Sequence, residues 1–211
     1  MIAGKFIALE GGEGVGKSTQ TRLLADALRA RGLDVVVTRE PGGTPGAETI
    51  RNLLLGLDGD GWHPRAEALL FAAARSDHVE RRIVPALSRG QWVICDRFLD
   101  SSRAYQGGGG GLSDADIRDL HRIGSQDLLP DLTLLLEVPP AVAEARLAAR
   151  DTGGSDRIGG RDAAYHARVA QAFADFAAAE PARFARIDAA GSPEAAHAAV
   201  LSALSPWLSA L

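Results

Sequence analysis

The chain has 211 residues, 46% hydrophobic and 24% charged, with 23 Lys and Arg against 27 Asp and Glu for a net charge of −4. That composition fits one folded domain and excludes wholesale disorder, and the slight negative balance excludes broad, sequence-independent binding to nucleic acid, which relies on many phosphate contacts. A single cysteine excludes an internal disulfide.

No apolar run reaches the roughly 18 residues of a membrane span. The opening segment MIAGKFIALEGG lacks the layout of a signal peptide. A cytoplasmic protein is expected. In chain order, the apolar run at residues 6–9 predicts a strand buried on both faces. Next comes Gly11-Gly12-Glu13-Gly14-Val15-Gly16-Lys17-Ser18, which fits G-x-x-x-x-G-K-[ST], and an amphipathic helix over 19–30 follows with Gly32 at its end. Glycines let backbone N–H groups turn inward around phosphate oxygens, and the helix start adds positive potential. Lys17 can then reach the β and γ phosphates, and the Ser18 hydroxyl can ligate Mg²⁺. The strand–loop–helix setting makes a nucleoside triphosphate with Mg²⁺ the expected ligand.

A second strand is predicted at 35–37. Arg39 follows it, Arg51 opens the next helix, and Arg75 lies midway along a helix over 66–87 that closes near Gly90. A third strand at 92–95 contains Cys95, expected as a small core residue. Asp96 and Arg97 stand at its C-terminal end, where ligands bind in open α/β sheets. Asp96 there can hold a Mg²⁺ shell and Arg97 can clamp a second phosphoryl group, and a buried structural Asp–Arg pair is compatible with both roles. Arginines at strand ends converge on one sheet edge, and a guanidinium matches a phosphate dianion.

Five consecutive glycines, Gly107 to Gly111, read as a mobile loop beside the site. A helix over 115–123 capped by Ser113 comes next, then a strand at 132–138 and a helix over 142–149. The glycine-rich, charged stretch 151–160 reads as a second mobile loop. A helix over 165–179, a weaker strand at 184–187 and a helix over 194–208 capped by Ser192 complete the chain. Strands alternating with helices predict an α/β fold with a parallel sheet covered by helices. The five histidines (His63, His78, His121, His166 and His197) are scattered without metal-ligand spacing, so no zinc site is expected. A regulatory GTPase is not expected, because the N-K-x-D base-reading motif is absent.

The residues resemble the bacterial thymidylate kinase family. The stretches that carry the likeness are Glu10 to Thr19, Thr38-Arg39-Glu40-Pro41-Gly42-Gly43-Thr44, and Asp96-Arg97 with Ser101-Ser102-Arg103-Ala104-Tyr105-Gln106-Gly107. Leu70 to Arg75, Pro130 to Thr133 and Asp156-Arg157-Ile158 extend it over nearly the whole chain. The resemblance implies transfer of the γ-phosphoryl of ATP to dTMP, giving dTDP and ADP. It also implies a P-loop kinase fold: a single domain over 1–211 with a five-stranded parallel sheet and a mobile lid at about 150–160, working as a homodimer. By the same resemblance Phe71 stacks on thymine, Arg75 and Gln106 hydrogen-bond the base edge, and Ser102 approaches that region. Arg39, Arg51 and Arg97 hold the dTMP phosphate, Glu13 meets the sugar 3′-hydroxyl, and Tyr105 crowds the 2′ position. Some family members place an arginine in the phosphate loop where Gly14 stands here, and in the bacterial class without it the lid supplies the arginine. Arg150 is the candidate for that role, ahead of Arg157 and Arg146. Two other classes remain open on residues alone: a P-loop kinase for another small acid or nucleotide, and a nucleotide-dependent regulatory module.

Overall fold

The computed structural model describes residues 4–56, 61–150 and 158–209, the side chain of residue 150 excepted. Five parallel strands form one sheet: β1 (Phe6–Glu10), β2 (Val35–Arg39), β3 (Trp92–Asp96), β4 (Leu132–Glu137) and β5 (Phe184–Asp188), in the order β2-β3-β1-β4-β5. The central strand β1 pairs Ile7 with Ile94 on one side and with Leu132 on the other. Alternate side chains enter opposite layers because strand periodicity is two. Ile7 and Leu9 pack with Leu24 and Leu28 of α1 (Lys17–Arg29), whereas Phe6 and Ala8 pack with Val79, Ile83 and Ile117. With helices on both faces, the inner strands β1 and β3 are apolar up to their last residue, which is why they are legible as continuous runs.

Helix α2 (Pro45–Leu55) is capped by Thr44, whose hydroxyl accepts from Ala47 N at 3.2 Å, with proline in the first turn. Arg51 therefore lies in the second half of a helix, not at its opening. The helix expected over 66–87 is one continuous helical rod: α3 (Pro64–His78), a π-helical turn over Val79–Ile83, and α4 (Val84–Ser88). An unforeseen helix, α5 (Leu99–Ser102), runs into a π-helical segment, Arg103–Gly109. The glycines at 107–109 thus belong to a packed helical segment and not to a mobile loop. A Cβ at Gly108 would lie 2.6 Å from Ala172 Cβ, and one at Gly109 would lie 2.5 Å from the Tyr165 ring. They permit close approach to α8 (Ala163–Ala179).

The remaining helices are α6 (Asp114–Ser125), α7 (Pro140–Arg150), α9 (Pro193–Ala203) and the short α10 (Ser205–Leu208). Ser113 and Ser192 cap α6 and α9 as expected, accepting from Asp116 N at 3.1 Å and Ala195 N at 3.2 Å. The single helix expected over 194–208 is broken at Leu204, just before Pro206, which has no N–H to continue the ladder. The connection after β1 leads to β2 on one side, and that after β3 leads to β4 on the other. The C-terminal ends of β1 and β3 therefore flank a topological switch point, where a crevice opens.

Candidate active site

The phosphate loop joins the end of β1 to the start of α1. Gly11 and Gly14 have φ of +130° and +71°, and a Cβ at Gly14 would come 2.7 Å from the Ala143 carbonyl of α7. Gly16, the residue capping α1, offers no side-chain acceptor, so the first-turn N–H groups keep their donors for a ligand. Lys17 Nζ donates to Gly12 O at 2.5 Å and Gly11 O at 3.2 Å. Burial first, and Arg97 second, pull its pKa down to about 7. Ser18 Oγ donates to Asp96 Oδ2 at 2.9 Å, joining the start of α1 to the end of β3.

Arg97 follows β3 with φ of +69°, a conformation uncommon outside glycine that aims its side chain back over the loop. Its Nη1 donates to Gly11 O and to Ser101 Oγ, each at 3.1 Å, and Nη2 donates to Tyr105 OH at 3.2 Å. Beneath it lies Glu10, the last residue of β1. Its carboxylate accepts from Phe98 N at 2.8 Å, Ser101 N at 3.0 Å and Ser101 Oγ at 2.6 Å. Burial, then the nearby Asp100 charge, push Glu10 up to about 7.

A buried polar chain runs along the other wall. Glu40 Oε2 accepts from Arg75 Nε at 2.7 Å, and Oε1 is 3.0 Å from His78 Nδ1. His78 Nε2 lies 2.6 Å from Thr38 Oγ1, and Arg75 Nη2 donates to Ser102 Oγ at 2.7 Å. Burial alone would raise the Glu40 pKa, but Arg75 and His78 outweigh it and hold the carboxyl below its ordinary range. An ionised Glu40 makes Nδ1 of His78 a donor, which fixes the ring's orientation. At the mouth, Arg39 Nη2 donates to both Glu48 carboxylate oxygens at 3.0 Å, and Arg51 Nη1 donates to Pro41 O at 2.8 Å.

These elements enclose a crevice of about 230 Å³, the scale of a small molecule. Glu13, Arg39, Arg51, Phe71, Arg75, Arg97, Ser102, Tyr105 and Gln106 all line it, and so do Ser18 and Asp96. Lys17 stands beside it on the loop. Among the other expectations, Arg146 of α7 donates to the Ala189, Ala190 and Gly191 carbonyls after β5, a structural role. The Arg150 side chain, Arg157 and most of the expected lid lie outside the described residues. Cys95 is fully buried in β3, and burial raises its thiol pKa.

Glu10, Glu40, His78 and Glu67 received no role from sequence. Glu67 was open to detection: Glu67, Phe71 and Arg75 are spaced by four, on one face of α3. A carboxylate on that face reaches Gln106, which lines the same crevice.

Residues 9–200 match the family model described as thymidylate kinase. The chain belongs to the thymidylate kinase family. It is 60% identical over 207 residues to the thymidylate kinase of Rhizorhabdus wittichii, covering 98% of this chain and 100% of that one. It is 54% identical over 209 residues to the thymidylate kinase of Gluconobacter oxydans, covering 96% of each. The crystal structure of thymidylate kinase from Ehrlichia chaffeensis superposes with a TM-score of 0.79 at 33% identity, covering 96% of this chain and 99% of that one. The family membership agrees with the five-stranded parallel sheet and with the crevice beside the phosphate loop.

Proposed function

We propose that the crevice at the ends of β1 and β3 seats dTMP beside ATP held on the phosphate loop. The chain phosphorylates dTMP to dTDP with ATP as co-substrate. The observation that carries the residue assignment is convergence: nine side chains from five separate stretches of sequence line one crevice next to Lys17. A dTMP phosphate oxygen attacks the γ-phosphorus, the bond to the bridging oxygen breaks, and ADP leaves with that electron pair. Catalysis of such a transfer is chiefly positioning and charge stabilisation. In this reading Arg97, Arg39 and Arg51 hold the acceptor phosphate, Phe71 stacks on the base, and Arg75, Ser102 and Gln106 face its polar edge. Glu13 meets the 3′-hydroxyl, Tyr105 closes the 2′ side, and the loop Gly11 to Ser18 holds the triphosphate.

The Ser18 hydroxyl and the Asp96 carboxylate are adjacent hard oxygen donors, the donor set that suits Mg²⁺ completed by substrate phosphates. These two residues would hold it. When bound, the ion neutralises charge between the β and γ phosphates.

The reading extends to the whole assembly: one domain over 1–211 with a lid at about 150–160, acting as a cytoplasmic homodimer. Leu53, Leu69 and Ile123 support an interface, being 51%, 55% and 72% exposed. Among the described residues no helix is long and apolar enough to cross a membrane. Light scattering at twice the chain mass would agree with the dimer.

An ADP-release assay over an acceptor panel tests the site. Thymine differs from uracil by one methyl, so dUMP is expected to react with kcat/KM about 10- to 200-fold lower than dTMP. dGMP is expected to fail by more, and efficient use of dGMP would sink the assignment. Lys17→Ala is expected to lower kcat by about 10²–10³-fold, the effect of removing one fixed counter-charge from a developing anion. Its melting temperature should not fall, because burial already disfavours the charged lysine. An unchanged kcat would remove Lys17 from the transfer step.

A further inference from the structure

Glu67 is buried on α3, and its two carboxylate oxygens serve two different partners. Oε1 accepts from Gln106 Nε2 at 3.0 Å, and Oε2 accepts from Arg161 Nη2 at 2.6 Å. Gln106 lies on the π-helical segment and lines the crevice. Arg161 comes from the turn before α8, and its guanidinium also lies 4.5 Å from the Tyr165 ring centre. A carboxylate ion-paired to arginine accepts hydrogen bonds and donates none. A flipped Gln106 amide would set carbonyl oxygen against carboxylate oxygen, so Glu67 permits only one orientation. The N–H end of Gln106 is turned to Glu67, and the carbonyl Oε1 is the end left for the base.

We propose that Glu67 is the positioning residue that makes the site prefer thymine to cytosine, by holding Gln106 with its carbonyl toward N3 of the base. The proposal rests on the reading of this crevice as the dTMP site. Thymine carries a hydrogen on N3 and donates it; cytosine N3 is bare and only accepts. A fixed carbonyl therefore pairs with thymine and opposes cytosine. Uracil has the same N3–H as thymine, so this device does not separate those two bases.

Arg161 gives the arrangement its polarity, and that sharpens the test. In Glu67→Gln the arginine, a donor only, takes the new amide's carbonyl. The new NH₂ group then faces Gln106 and draws its carbonyl away from the base, leaving an N–H toward N3. The variant is expected to lose about tenfold in the dTMP-to-dCMP ratio of kcat/KM, the scale of one mispaired buried polar group. The dTMP-to-dUMP ratio should stay as in the unaltered chain. Adding Gln106→Glu gives the new amide an acceptor and restores a carboxylate oxygen toward N3, so this double variant should recover the discrimination against dCMP.

All three proteins are assayed by ADP release with dTMP, dUMP and dCMP, with melting curves as the check on folding. An unchanged dTMP-to-dCMP ratio in folded Glu67→Gln overturns the proposal, and so does an equal shift in the dUMP ratio, which marks a merely structural role. If the single variant does not fold, the double variant decides: weaker discrimination against dCMP than in the unaltered chain also overturns it. An unaltered chain that does not use dTMP would instead refute the reading of the crevice itself.

Discussion

Arg150→Ala is expected to lower kcat by about 10³–10⁵-fold while changing the KM for dTMP little, the signature of an arginine engaged only in the transition state. The argument starts at Gly14. Its φ is +71°, and any Cβ there would meet the Ala143 carbonyl at 2.7 Å and Leu147 Cγ at 3.1 Å. Helix α7 thus lies directly against the phosphate loop and leaves no room for a guanidinium rooted at position 14. The stabilising charge on the γ-phosphoryl must come from elsewhere. Arg146 is committed to three carbonyls after β5. Arg150 is the last residue of the same helix α7 that covers the loop, so its backbone is held by the element packed on the phosphate loop. Arg150→Lys should recover only part of the rate, since an ammonium cannot form the planar fork. Single-turnover measurement of ADP formation separates chemistry from product release. Full kcat in Arg150→Ala with a collapse in Arg157→Ala would move the role to Arg157, and full kcat in both would end the lid mechanism.

Glu40→Ala is expected to destabilise the fold by about 3–5 kcal/mol at pH 7, the cost of removing one partner from a buried ion pair. Both carboxylate oxygens are in use, and Arg75 and His78 are almost fully enclosed. Without Glu40, the Arg75 guanidinium is a buried cation that keeps Ser102 Oγ, the Phe98 carbonyl and the Phe98 ring but has no carboxylate partner among the described residues. The pH dependence has a definite sign. The folded-state pKa of Glu40 is depressed below its ordinary value of 4.5, so its contribution is complete above that value. It is lost as pH falls through the depressed folded value. Denaturant titrations should show the gap between parent and variant widest at neutral pH and shrinking progressively below pH 4.5. A gap independent of pH would show that the carboxylate charge is not what stabilises this wall. Because Arg75 is held by the same contact, the KM for dTMP should rise in parallel.

All five strands were legible: the inner strands as continuous apolar runs, as at residues 6–9 and 92–95, and the edge strands β2 and β5 as shorter, partly apolar ones. The phosphate loop was legible for a different reason: its function demands glycines at set spacing. The segment Leu99–Gly109 was not legible. Every residue from Leu99 to Gly107 is buried, and Asp100, Ser101, Ser102, Arg103 and Gln106 among them are polar, so no apolar periodicity marks the segment. Four of these polar residues are satisfied by partners far away in sequence: Asp100 by Arg183, Ser101 by Glu10, Ser102 by Arg75 and Gln106 by Glu67. The Glu40–Arg75–His78 cluster was hidden likewise, because its members lie 35 and 38 positions apart. The arginine positions were readable, but not the carboxylates that orient them.

The glycines of the π-helical segment bear on the order in which this protein is completed as it leaves the ribosome. Gly108 and Gly109 fit only against Ala172 and Tyr165, some sixty residues downstream, and Tyr165 OH donates to Tyr105 O at 2.8 Å across the same contact. A nascent chain that has emerged only to β4 already holds the residues of its phosphate loop and of strands β1 to β4, yet the face of residues 103–109 that packs on α8 still lacks its partner. Contacts between distant residues form late, because the loop between them must close first. Amide hydrogen exchange in pulse-labelled refolding should therefore protect β1 and β3 before residues 103–109. Nucleotide binding would mature first, and acceptor recognition would follow only when α8 is in place.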